Sequence, residues 1–283
     1  MSRREDIINK VQTVKGLPAS TMDALRMLND PSFRIADLAK AIEFDPGMTG
    51  NVLRLANSSY FGAAREICTV RESITRLGLR NLFNVMVTSA AAPLFQAGIN
   101  GYDLPPGKLW IQSVATAVGT DKICGCLHRP ANELGFTTGL LLDVGKLVLG
   151  SFLEVDGDDI LDLVRRDGIS FDAAEREVLG IDHAEVGSIL LGRWQLPVTI
   201  CDTVRWHHRP ELAVAGSQLL DLVHLSERLT HVSGNSQGVD QGHYHYSESS
   251  FNRLGYTSDL DQDVLAEVEE AIHELDGAFA GAA

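Results

Sequence analysis

Apolar residues recur every three or four positions along most of the chain, and no stretch of strict alternation persists. That period predicts helices rather than strands. Residues 19–29 place Met22, Leu25 and Leu28 on one face, with Ser20 or Thr21 as N-cap, and Pro31-Ser32 breaks the helix. A second stripe, Ile35, Leu38, Ala39 and Ile42, ends at Asp45-Pro46-Gly47, and a third helix covers 48–57. Ser58 to Gly62 reads as a turn anchoring Tyr60 and Phe61, followed by a short helix over Ser73 to Leu77. After Gly78, residues 79–95 are apolar enough for a central buried helix. Gly101, Pro105, Pro106 and Gly107 mark a boundary, because none of them suits a helix interior. Beyond it, helices are predicted over 108–128, 132–152, 157–167, 170–179, 183–195, 197–207 and 211–230. A Ser/Gly/Gln/His-rich loop over 232–248 and a last helix over 261–279 complete the chain. The expected fold is all-α, in two parts: an N-terminal helical bundle over 1–104 and a second helical domain over 105–283.

Composition leaves this picture intact. At 283 residues, 45% hydrophobic and 22% charged, the chain has material for a proper core. No apolar run reaches the length of a membrane span, and the polar start MSRREDIINK is not a signal peptide, so a cytoplasmic protein is expected. Cys68, Cys124, Cys126 and Cys201 lack metal-knuckle spacing and read as free thiols, mostly buried. The balance of 24 basic against 38 acidic residues, −14 net, disfavours a broad nucleic-acid footprint and suits solubility.

Chemistry enters where polar residues interrupt apolar helices. Asp143 sits between Leu140-Leu141-Leu142 and Val144; His183 opens a helix, His207-His208 closes another, and Glu227 lies inside a third. Taken singly, each has a structural explanation, such as a cap, a dipole partner or a solvated face.

Together they form a resemblance. From Leu17-Pro18 to about Leu229, the chain resembles an HDOD protein, the HD-related output domain of bacterial signalling systems. The match rests on Asp37 to Pro46, Leu53 to Ser58, Ile74 to Gly78, Gly139 to Leu149, His183 to Gly187, Trp194 to Pro197 and Val204 to His208. The second domain would then be a degenerate HD-like domain. Set against the catalytic HD-GYP phosphodiesterases, Gln112 stands where an upstream His would be. Leu142 replaces the His of the HD pair while Asp143 remains. His183 matches a lone His, His207-His208 an HH pair, and Glu227 the final Asp.

The resemblance implies a one-sided loss. Positions 112, 142 and 227 would serve one metal, whereas Asp143, His183, His207 and His208 would serve the other, enough for a single Fe, Mn or Zn ion. Leucine offers no lone pair, so a hydroxide bridging two metals cannot be assembled in that form. The favoured state is a metal-free hydrogen-bond network in which Asp143 accepts from imidazole N–H groups; single-metal occupancy and residual hydrolysis rank behind it. The resemblance therefore implies a non-catalytic signalling module acting through a protein partner, with the vestigial cleft open to a ligand or metal and no cofactor required. The alternatives are a mononuclear phosphohydrolase and a DNA-binding regulator, the latter through a helix-turn-helix-like 35–57 presenting Asn51, Arg54 and Asn57. Lys146 and its neighbouring Gly145 show no phosphate cradle, and His243 and His245 read as a polar surface loop.

Overall fold

The computed structural model describes residues 2–28, 32–61, 65–213 and 217–280. The expected helix end at Asn29, the breaker Pro31, the turn glycine Gly62 and residues 214–216 of the expected helix 211–230 lie outside the described residues. The helices in chain order are α1 (Arg3–Thr13), α2 (Ala19–Leu28), α3 (Ile35–Glu43), α4 (Pro46–Ala56) and α5 (Val70–Phe95), then α6 (Lys108–Cys126), α7 (Gly135–Leu141), α8 (Lys146–Asp167) and α9 (Phe171–Leu179). The rest are α10 (His183–Arg193), α11 (Val198–Trp206), α12 (Gln218–Val232), α13 (Glu248–Leu254) and α14 (Asp261–Ala280). Among the described residues there is no strand beyond a single bridge pairing Ile99 with Leu104. The all-α reading holds.

The helices divide into two compact units, one of Met1–Lys15 with Phe95–Val268 and one of Gly16–Leu94 with Glu269–Ala283. This division differs from a cut at 104/105. The N-terminal helix α1 goes with the later residues because it packs on α8 and α10. It buries Ile7 and Val11 completely, and Arg4 holds Glu185 of α10 through two hydrogen bonds. The sequence reading passed over α1, although Ser2 and Glu5 form a capping box with spacing visible in the sequence.

Within the second unit, Asp45 caps α4 by accepting from the Met48 N–H (3.0 Å), and Pro46 opens the helix where no N–H partner is needed. Ser20 does not cap α2; its hydroxyl donates to Asp45 at 2.6 Å, and Thr21 is buried. The anticipated break at Gly78 is present, at φ 71° and ψ 171°. The residues offered as base readers are otherwise engaged. Arg54 donates to Asn51, and Asn57 binds the Leu53 and Ile67 carbonyls and the Ile67 N–H.

The first unit carries the larger departures. The predicted helix 132–152 is two helices, α7 and α8, separated by a turn over Leu142–Gly145, and α8 runs unbroken through the expected gap near 153–156. Apolar periodicity across 139–149 conceals that turn, since both its flanks are buried. The stretch Gly135–Asp167 is also apolar and long enough to cross a membrane by composition, which the sequence reading missed; 83% of its most apolar window is buried inside the protein. The expected helix 211–230 is a 3-10 turn at Pro210–Leu212 followed by α12. Cys124 and Cys201 are buried, Cys126 is half-buried and Cys68 is exposed; none of the four is in a disulfide.

Candidate functional site

The turn Leu142–Gly145 is held against the start of α10 so closely that a Cβ on Gly145 would lie 1.9 Å from the His183 carbonyl oxygen. Only glycine fits there. This approach sets Asp143 beside His183, with Oδ1 3.5 Å from Nε2. Asp182 caps α10 by accepting from the Glu185 N–H at 2.7 Å, fixing His183 in the first turn. Glu175, from α9, accepts from both the His183 backbone N–H (2.9 Å) and its Nδ1 (2.7 Å), and also from the Tyr102 hydroxyl. Burial works to lower the His183 pKa, but the Glu175 carboxylate raises it more, to about 9.

Helix α11 delivers the histidine pair. The His207 Nδ1 faces the Val204 carbonyl at 2.6 Å; a carbonyl only accepts, so Nδ1 carries the proton and Nε2 a lone pair. His208 Nε2 meets His183 Nε2 at 2.8 Å. Burial lowers both pKa values, His207 to about 4 and His208 well below its ordinary value, with repulsion from the neighbouring imidazoles adding to the effect. Glu227 of α12 approaches this pair, with Oε1 3.5 Å from His207 Nε2 and Oε2 3.7 Å from His208 Nδ1. Burial, reinforced by the charge of Asp143, raises the Glu227 pKa well above the usual range.

On the other side of Asp143 the surroundings are donors. Gln112, on α6, gives its amide N–H to Oδ2 at 2.7 Å. The Lys146 ammonium lies 3.2 Å from Oδ1 and 2.7 Å from Asp240 Oδ2, with no solvent exposure. It is also flanked by the Tyr102 and Tyr244 rings at 5.6 and 5.7 Å. Burial alone would lower the Lys146 pKa and raise that of Asp143. Their attraction prevails, holding Asp143 at about 2 and Lys146 above its ordinary value. Tyr244 donates to Asp240 at 2.7 Å and stacks on both His208 (4.3 Å, 8°) and His231 (5.2 Å, 9°). His224 is satisfied on both nitrogens, donating to the His207 carbonyl at 2.6 Å and accepting from the Ser247 N–H at 2.8 Å. Outside the cluster, Trp206 at the end of α11 is half-buried, with the Arg205 and Arg209 guanidiniums 5.4 and 5.3 Å from its ring.

Thus Asp143, His183, His207, His208, Gln112 and Glu227 are all buried in one unit and gather around one point, with Leu142 buried in the adjoining turn. The gathering differs in detail from the anticipated half-site. Ligand atoms group as His183, His207 and His208, and separately as Asp143, His207 and Glu227, each set lying within 4.8 Å. The anticipated bonds from imidazole N–H groups to Asp143 do not form; Gln112 donates to Oδ2, and Oδ1 pairs ionically with Lys146. Nor is the network complete. His207 Nε2, His208 Nδ1, both Glu227 oxygens and Asp143 Oδ1 are buried without a hydrogen bond. The ligand atoms of Asp143, His207 and Glu227 lie close enough together to hold one metal ion. Bound there, an ion would supply Lewis acidity and acidify a coordinated water.

Sequence reasoning missed Glu175, Tyr102, His231, Asp240 and Tyr244, and set Lys146 aside. Lys146 carried a signal: a lone charge between Val144-Gly145 and Leu147-Val148-Leu149 needs a buried partner. The loop expected at the surface over 232–248 instead sends Asp240 and Tyr244 inward.

The model of the HDOD domain matches residues 15–210. The chain belongs to the HDOD domain family. A protein from Treponema pallidum (strain Nichols), uncharacterised, is 26% identical over 205 residues, or 71% of this chain; the chain spans only 39% of that relative's length. Among solved structures, an HDOD domain protein of unknown function from Geobacter sulfurreducens superposes with a TM-score of 0.71 at 24% identity, covering 97% of both chains. A protein from Shewanella amazonensis SB2B whose name proposes phosphohydrolase activity gives 0.71 at 21% identity, over 95% of this chain and 97% of its own. At these identities the superpositions establish the fold, which does not assign an activity. The HDOD match takes in Asp143, Lys146, Glu175 and the three clustered histidines, and ends before Glu227, Asp240 and Tyr244. The residues that close the site thus lie beyond it.

Proposed function

We propose that this HDOD protein is a signal-transduction module that works through contact with a protein partner and does not turn over a substrate. The observation that supports this reading is a vestigial centre filled from within. Leu142 is apolar where a ligand would stand, Lys146 occupies the donor-rich side of Asp143, and Tyr244 lies flat over His208. Every ionisable group of the cluster is at most 8% exposed, so a phosphoester has no open approach to Asp143. An enzyme needs its nucleophile within about 3 Å of a bound substrate, and this arrangement spends that space on internal contacts.

A phosphohydrolase reading has one observation in its favour, the His207 Nε2 and Glu227 oxygens buried without a hydrogen bond. The experiment that separates the two is hydrolysis of bis(4-nitrophenyl) phosphate by purified protein supplied with Mn2+, Fe2+ or Zn2+. The expected result is no rate above the metal-only blank. Turnover that disappears in Asp143→Asn would replace the contact reading with an enzymatic one.

A further inference from the structure

Apolar side chains, a cavity and an unmatched charge coincide where α11 meets the start of α12. A cavity of about 500 Å3 opens there, lined by Val198, Asp202, Thr203, Arg205, Trp206 and Leu220, large enough to take a bulky side chain. Thr203 and Leu220 are buried, whereas Val198 is 73% exposed. Leu212, next to Ala213 of the same lining, is 52% exposed. Single exposed apolar residues are ordinary; two of them beside a cavity with a half-buried indole form a patch whose covering removes apolar area from water.

The charges around this patch select what can cover it. Arg205 donates to Glu185 at 2.7 Å, and Arg209 donates to Asp182 at 3.0 Å, so both guanidiniums beside Trp206 are matched within the chain. Asp202 is exposed, and among the described residues its carboxylate has neither an ion pair nor a hydrogen bond. The same holds for the Glu211 carboxylate, beside Leu212. The charge left over is therefore negative, in a chain of net −14. An acidic segment would meet Asp202 without a counter-charge, whereas lysine or arginine on an incoming segment would pair with it. A small cation could fill the cavity but would leave Leu212 wet. An amphipathic helix covers both.

We propose that this surface docks a basic amphipathic helix of the partner, with an apolar side chain entering the cavity beside Trp206 and lysines or arginines meeting Asp202 and Glu211. This rests on the contact reading above and adds where the partner sits and what chemistry it carries. The docked helix would lie against α11, which ends at His207, and α12, which carries Glu227, so the outer contact and the buried cluster share two rigid elements.

The test uses the whole chain and two fluorescein-labelled peptides of about 14 residues, one of leucine and lysine and one of leucine and glutamate at amphipathic helical spacing, read by fluorescence anisotropy. The Leu/Lys peptide is expected to bind with a Kd below about 100 μM, and the Leu/Glu peptide to show no binding. Affinity for the Leu/Lys peptide should fall about threefold in Asp202→Asn and at least about tenfold in the double variant Val198→Ser, Leu212→Ser. Asp159→Asn removes the same charge from an exposed position of α8, outside the cavity, and should leave affinity unchanged. No binding of the Leu/Lys peptide at about 1 mM chain, tighter binding of the Leu/Glu peptide, or equal losses in Asp202→Asn and Asp159→Asn would overturn the proposal. The last of these would mean attraction by net charge alone. The contact reading fails by a separate route, metal-dependent turnover in the hydrolysis assay, so the two failures are distinguishable.

Discussion

The two sides of one carboxylate are provided for unequally. Asp143 is 5% exposed, and on one side it is neutralised by Lys146 and Gln112, groups built into the chain. On the other side, toward His207 and Glu227, the His207 Nε2 and both Glu227 oxygens are buried without a hydrogen bond. Burying an uncompensated charge is expensive, so a protein either provides the counter-charge itself or recruits one. Here the internal solution is built in at Lys146, and the side toward His207 and Glu227 has no such partner.

The comparison can be broken most forcefully at Lys146. Lys146→Met removes the ammonium and leaves Asp143 and Asp240 facing each other's charge without compensation. The loss expected is about 3–5 kcal/mol of unfolding free energy in urea titration, as for a broken buried ion pair. Adding Asp240→Asn should recover part of that loss; a double variant no more stable than Lys146→Met would show that the lysine acts by packing alone.

Proton linkage gives the next largest effect. The folded-state pKa of His183, about 9, lies above its ordinary 6.5. The stabilisation is therefore complete below pH 6.5 and is lost as pH rises through about 9, on the order of 3 kcal/mol in all. Urea midpoints measured from pH 6 to 10 should fall across that window. In Glu175→Gln the slope should flatten, because the carboxylate that holds the imidazolium is gone.

Smaller effects separate the two sides further. Gln112→Leu removes the donor to Asp143 Oδ2, and a loss of about 1–3 kcal/mol is expected. Glu227→Gln, on the other side, should change metal-free stability by less than about 1 kcal/mol, since no hydrogen bond is lost there. Equal losses in these two variants, measured by chemical denaturation in EDTA, would erase the distinction between the sides.

How much of this was legible in the sequence depended on whether a residue's reason was local. The periodicity of 35–57, the break at Gly78 and the helix starting at His183 follow from patterns a few residues long, and they stand in the structure. Asp143, His183, His207, His208 and Glu227 stood out as polar residues in apolar helices, and the resemblance set them in order and added Gln112. Their partners were not. Glu175, Asp240 and Tyr244 matter only because α9 and the 232–248 segment fold onto α8 and α11, and no spacing along the chain announces that. The turn over Leu142–Gly145 was missed for a related reason: its necessity is the approach of the His183 carbonyl to Gly145, a contact across 38 positions of sequence. Hydrophobic pattern reports which face is buried, and it is silent about what lies against that face.

Trp206 deserves a last consequence. Of the chain's three tryptophans, Trp110 and Trp194 are 1% and 2% exposed, while Trp206 is half-buried between two guanidiniums and immediately precedes His207. The molecule thus carries its own optical gauge: red-edge excitation selects an indole joined by one peptide bond to the histidine at the centre of the cluster, and its emission will register any event that turns the end of α11.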